Sequence, residues 1–251
     1  YILRKWKEYS LIEKEIFKGI RNVGKSKKVK IDIFPLATDL YNILREEGLI
    51  EELKKTPLLG DITVCKRYSY SRYDYVMMQQ YIYQFVRKNL NSDLTLSFGN
   101  EVRCKEFKNS VFHLEDSDFE KLPTIADALQ ILSIVYNIGH FKNTFTSSRA
   151  AINCIKHDKK ISESFLNNFE YEPHKCIALR ITEFNHFHRF HLLNSLLILL
   201  SICKEQTIIR FAINILSEYL TKERSEKLEY IFALFAVIRE VSYVAYDLSI
   251  A

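Results

Sequence analysis

The sequence predicts a mainly α-helical fold, and three observations carry that prediction. Apolar residues recur at spacings of three and four along most of the 251 residues. Glycine (6) and proline (4) are too scarce for a turn-rich β fold. Hydrophobic residues make up 47% of the chain, enough for a substantial core in one large domain or two small ones. With 27% charged residues, the composition also excludes wholesale disorder and a collagen-like chain.

The elements follow in order. Ile2, Trp6, Tyr9, Ile12, Ile16 and Ile20 lie three or four apart and predict an amphipathic helix. Gly24, Lys25, Ser26, Lys27 and Lys28 form a basic loop. Residues 29–34 alternate apolar and polar, so at most a short strand is expected there. Leu36, Leu40, Ile43 and Leu44 share the next helical face, and Gly48 is a C-terminal stop. Ile50 and Leu53 resume the pattern, and Thr56 before Pro57 ends it. Residues 75–90 predict another helix, while residues 94–112 are the least periodic and fit a β-hairpin or an irregular insertion. Residues 125–138 predict a strong helix. Thr124 caps it, Asp127 completes a capping box and complements the helix dipole, and Gly139 closes it. From about Cys176 onward, three or four long helices are expected.

Net charge is +5, but it is concentrated. Residues 1–30 hold ten Lys/Arg against three Glu, a basic arm suited to phosphates or an acidic partner, although a solvated amphipathic helix and loop explain it more simply. The expected division is therefore a basic helix and loop over 1–30 and one helical domain over 31–251. The start at Tyr1 and the stop within an apolar pattern at Ala251 are read as signs of a longer protein, with fused domains or a protein partner. Cys65, Cys104, Cys154, Cys176 and Cys203 are dispersed and contain no CxxC, which predicts reduced thiols in a cytoplasmic chain, mostly packed as small apolar groups. No signal-peptide pattern opens the sequence. The most apolar run, 192–203, falls short of the roughly 20 residues that span a bilayer, so no membrane partner is expected.

Two segments narrow the function. The first runs from Leu53 through Leu59 and Gly60, then Tyr70, Ser71, Arg72, Tyr73, Asp74 and Tyr75. The second is Tyr136, Asn137, Ile138, Gly139 and His140, at a predicted helix end. Together they resemble the HD-domain superfamily, in particular its deoxynucleotide-triphosphohydrolase-like branch. That branch has a Leu-to-Leu-Gly segment followed by His-Thr/Ser-Arg-Phe-Glu-His, and later His-Asp-Leu/Ile-Gly-His. Leu53, Leu59, Gly60, Ser71, Arg72, Tyr73, Asp74, Ile138, Gly139 and His140 fit the pattern. Tyr70 and Tyr75 replace two histidines, Tyr136 and Asn137 replace the His-Asp pair, and Phe145 falls where a further family histidine would be.

The resemblance implies a helical fold and, in intact members, a divalent metal held by two histidines and two aspartates. Such a metal lowers the pKa of bound water and polarises a phosphate ester. Tyr75 and Tyr136 lack an imidazole lone pair, and a phenol keeps its proton until about pH 10. Asn137 loses the anionic charge. The downstream aspartate would fall on Asp247, in surroundings unlike the family's. The expectation is therefore a degraded HD-like domain without metal or other cofactor, acting as a structural or interaction module with nucleotide or nucleic acid as candidate ligand. Self-association is common in that branch and is a further expectation. Tyr75 and Tyr136 are expected to fill the former cavity, His140 to pack at its helix end, and Arg72 to pair with Asp74 or Asp127.

Other readings compete. A metal-dependent phosphohydrolase built on an unusual ligand set would use His140, Asn137 and Asp247. Arg180 and His186 have the spacing of HEPN-type ribonucleases, in which such a pair stabilises and protonates a cleaved RNA phosphodiester. His186, His188 and His191 cluster, and His188 and His191 share a helical face, but the pattern fits a polar, partly buried helix start better than a metal pair. Lys66, Arg67, Tyr68, Tyr70, Arg72 and Tyr73 interleave cations and rings, as nucleic-acid-binding stretches do. Packing against the domain core explains that stretch more simply. The candidate nucleic-acid contacts are Lys25, Lys27, Lys28, Lys66, Arg67 and Arg72.

Overall fold

The computed structural model describes residues 35–58, 71–89, 107, 110–120, 122–202, 205–221 and 226–250. The basic arm over 1–30, the strand expected over 29–34, Lys66, Arg67 and most of 94–112 lie outside these residues, as do Cys65, Cys104 and Cys203.

The described residues form ten α-helices: α1 (Pro35–Glu46), α2 (Leu49–Lys55), α3 (Arg72–Asn89), α4 (Ile125–Ile138), α5 (Thr144–His157), α6 (Lys159–Asn167), α7 (Glu172–Glu183), α8 (Phe190–Ser201), α9 (Thr207–Leu220) and α10 (Glu226–Ile250). Two short 3-10 turns, Asp116–Asp118 and Phe187–Arg189, complete the description. The fold is mainly α. Among the described residues β pairing is limited to an isolated bridge, Pro57 to Ser71. The described part of the 94–112 stretch is a 3-10 residue at Phe107 and bends at 110–112, not a strand.

Helix α4 is the axis of the molecule. All 14 of its residues are buried, and it packs against α1, α2, α3, α8, α9 and α10. Its start is set locally. Asp127 N–H donates to Thr124 Oγ1 at 3.2 Å, and Thr124 N–H donates back to the Asp127 carboxylate at 2.9 Å. That is the capping box the sequence predicts.

Gly139 ends α4 as expected, and its reason is a close approach. Its φ is −90°. A Cβ there would lie 2.1 Å from the His191 carbonyl oxygen and 2.3 Å from Ser195 N. Gly139 N–H donates to Ser195 Oγ at 2.9 Å, and Asn194 Nδ2 donates to the Gly139 carbonyl at 3.1 Å. The glycine thus lets the end of α4 rest on the backbone of α8. The glycine that does need a left-handed backbone is Gly48, which with φ 76° turns the chain between α1 and α2.

The C-terminal half matches the expected count, with α7 to α10 as four helices. Helices α5, α6 and α7 pack on one another and reach the main bundle through α8 and through side-chain bonds from α7 to α9. The two described cysteines correct the expectation of packed thiols: Cys154 and Cys176 are exposed. Both lie on this outer layer, where α5 and α7 turn a polar side to solvent. No helix among the described residues is long and apolar enough to cross a membrane.

Candidate functional site

The site is built where α4 ends against α8, with α3 and α10 closing the flanks. Tyr136 and His140 come from the end of α4, His191 from the start of α8, Arg72 and Tyr75 from the start of α3, and Arg239 and Tyr243 from α10. The close approach at Gly139 brings the His140 and His191 rings into a stack, 3.9 Å between centroids and 12° between planes. Tyr136 meets His191 edge-on at 4.9 Å. The Arg239 guanidinium lies 4.1 Å above the Tyr136 ring, a cation–π contact. Tyr75 is fully buried, donates its hydroxyl to the Arg239 carbonyl at 3.1 Å, and packs on Tyr243 at 4.5 Å.

The charges in this cluster are of one sign. Arg72 is 5% exposed. After burial, which pulls its pKa down, its electrostatic neighbours are the phenols of Tyr243, Tyr75 and Tyr136. Burial also pulls Arg239 down, but the phenols of Tyr136, Tyr75, Tyr219 and Tyr243 outweigh it and its pKa is raised. Among the described residues no carboxylate pairs with either guanidinium, and Nε of both is shielded without a hydrogen-bond partner. The expected partners of Arg72 are engaged elsewhere, which corrects that expectation. Asp74 accepts from Ser71 N–H and Ser71 Oγ–H at the start of α3, and Asp127 serves the α4 capping box. Local capping of each helix start took the carboxylates that sequence proximity offered to the arginine.

The histidines are neutral. Burial holds His140 well below the usual histidine range, and the charges of Arg72 and Arg239 push the same way. His191 is lowered for the same reasons. Both ring nitrogens of His140 and Nε2 of His191 are shielded and make no hydrogen bond. Further buried polar groups line the contact of α3 with α4. Gln80 Nε2 donates to the Gln130 carbonyl at 3.2 Å and to Ser133 Oγ, and Asn137 Nδ2 donates to the Ser133 carbonyl at 2.8 Å. Asn137 Oδ1 has no partner.

These residues do not fit a divalent metal. Burial pushes the Tyr136 phenol up to about 12, and burial first and Tyr243 second also raise Tyr75. Neither offers an anionic oxygen at neutral pH. Two guanidinium cations beside His140 and His191 repel a dication. No group of three or more His, Cys, Asp or Glu able to hold a metal occurs among the described residues. The same arrangement suits an anion: two fixed cations, and imidazoles able to donate one N–H each.

The other sequence candidates are dispersed. Asp247 lies on the last turns of α10, and its side chain is outside the described residues. Arg180 donates to the Leu220 carbonyl at 2.5 Å, closing the C-terminal end of α9. His186 instead meets Phe184 and His188, and no hydrogen bond joins it to Arg180 among the described residues. His188 is exposed on the 3-10 turn while His191 is buried, so the two do not act as a pair.

Arg239 and Tyr243 are the site residues that sequence reasoning missed, and His191 stands out in the sequence only beside His188, not as the partner of His140. Arg239 carried a signal: it stands four residues after Phe235 and one after Ile238, the one cation of α10 beyond Lys227, beside the buried stripe of that helix. The chain matches no protein-family model, no curated protein and no solved structure.

Proposed function

We propose that this chain is a non-catalytic, HD-like helical domain that binds a small phosphate-bearing ligand between Arg72 and Arg239. It serves as the ligand-sensing or interaction module of a larger assembly. One observation carries the reading: two largely buried guanidiniums face neutral rings, with no carboxylate among the described residues. A buried charge without an opposite charge beside it costs several kcal/mol, the rings offset part of that cost, and a bound phosphate offsets more through charge-assisted hydrogen bonds. Tyr75, Tyr136 and His140, the positions of the degraded metal site in the HD resemblance, meet in the same cluster, which supports the ancestry. The misfit to a metal supports the loss of hydrolysis.

The test is calorimetric titration of the full chain with inorganic phosphate and with nucleoside mono- and triphosphates, in the presence and absence of chelator. Binding is expected to be indifferent to chelator and reduced at least tenfold in Arg72→Gln and in Arg239→Gln, since a charged hydrogen bond contributes about 1.5–3 kcal/mol. Ligand hydrolysis that chelator abolishes would overturn the reading. So would the absence of binding by every phosphate compound.

A further inference from the structure

A second surface, on the outer layer, carries chemistry that the arginine cluster does not use. Helix α5 contains no Asp or Glu, and neither does the segment 184–191. Where the two meet, a cavity of about 280 Å³ is lined by Arg149, Ile152, Asn153, Asn185 and Phe187. The Arg149 guanidinium lies 4.5 Å over the Phe187 ring. Phe145, 52% exposed, meets Phe187 edge-on at 6.2 Å. Phe184 is 67% exposed at the end of α7. Asn185 takes a left-handed backbone, φ 54°, and its Oδ1 accepts from Lys156 Nζ at 3.4 Å. The same lysine reaches the Glu183 carbonyl at 3.4 Å.

We infer that this cavity receives one base of a single-stranded nucleic acid, with Arg149 and Lys156 meeting the flanking phosphates. Size favours a single ring. Pockets for drug-sized molecules run from about 300 to 1,000 Å³, so the remainder of a longer ligand lies outside, along α5. Flat surfaces favour a base: a guanidinium plane and phenylalanine rings stack on any base, whatever its sequence. The Asn153 and Asn185 amides present both donors and acceptors to a base edge. Charge favours a polyanion, because α5 and the 184–191 segment bear only cations, with the Glu183 side chain at their margin. An acidic peptide would use Arg149 and Lys156 but leave the stacking surfaces without a purpose.

The proposal is independent of the arginine cluster. It is tested by fluorescence anisotropy of the full chain with labelled single strands of RNA and DNA, about 12 nucleotides long, at low and rising salt. A duplex of equal length and an acidic peptide serve as competitors. Salt-sensitive binding of a single strand is expected, weakened roughly 5- to 100-fold in Phe145→Ala and in Arg149→Gln, as alanine replacement of a stacking residue does elsewhere. Phe145 is exposed, so its truncation leaves the fold intact. Arg45→Gln, an exposed cation on α1, is expected to leave strand binding unchanged, which separates this surface from a mere loss of net charge. Strand binding that ignores both substitutions would overturn the proposal. So would tighter binding of the acidic peptide, or no strand binding at low salt.

Discussion

The buried arginines give the residue scale its sharpest consequence. Arg72 pays a desolvation cost that no carboxylate among the described residues offsets. Arg72→Met keeps the volume and removes the charge. In phosphate-free buffer the variant is expected to melt at least as high as the parent, by about 2–4 °C for each kcal/mol gained. Added phosphate should raise the parent's Tm and leave the variant's unchanged, because only a ligand that binds the native state stabilises it. Differential scanning fluorimetry reads both effects, and a clear fall in Tm without phosphate would mean that Arg72 is already paired. Gly139 makes the complementary case. A Cβ would sit 2.1 Å from the His191 carbonyl oxygen, so Gly139→Ala must push α4 and α8 apart. A loss of about 1–3 kcal/mol is expected from the overpacking, with weaker phosphate binding as the His140–His191 stack opens. An unchanged urea midpoint would contradict the close approach.

At the scale of elements, most helices are held by apolar faces, but one loop is held by a single side chain. Asn214 is fully buried in α9. Its Oδ1 accepts from Val111 and Phe112 N–H at 3.1 and 2.9 Å, and its Nδ2 donates to the Phe107 and Phe112 carbonyls at 2.7 and 2.8 Å. The amide replaces the backbone partners that this irregular segment lacks. Phe107 then packs on Phe211 and Phe232. Asn214→Ala leaves four backbone groups unpaired near the core, and a destabilisation on the order of 3 kcal/mol is expected. Hydrogen exchange should show the Val111 and Phe112 amides losing protection before α4 does. Equal protection in the variant and the parent would contradict this staple.

For the whole molecule, the buried histidines set the response to acid. His140 and His191 are held well below the usual value, and burial lowers His174, which bonds Ser217 Oγ at 2.8 Å, to about 4. Unfolded histidines titrate near 6.5. Between the folded and unfolded values the unfolded chain binds protons that the native chain refuses, so stability is full above about pH 6.5 and falls as pH drops below it. Each histidine contributes up to about 1.4 kcal/mol per pH unit in that window. Urea titrations from pH 7.5 to 5 are expected to show a falling midpoint, and phosphate should soften the fall because an anion between Arg72 and Arg239 favours a charged imidazole. A flat midpoint would show that these rings are solvated.

What the sequence determined by itself was local. The 3.6-residue periodicity, the Thr124–Asp127 box and the breaks at Gly48 and Thr56 mark the described helices because each depends on neighbours within a few positions. It also marked Tyr75, Tyr136 and His140 as one site through the HD resemblance. The tertiary structure decided the rest. Asp74 and Asp127 stand close to Arg72 or share its motif, yet their own helix starts claim them, and only packing shows the arginine without a carboxylate. His191 and Arg239 come from helices more than 50 residues beyond Tyr136. Nothing in local spacing foretells that the end of α4 will rest on α8 and α10 and surround two cations with neutral rings.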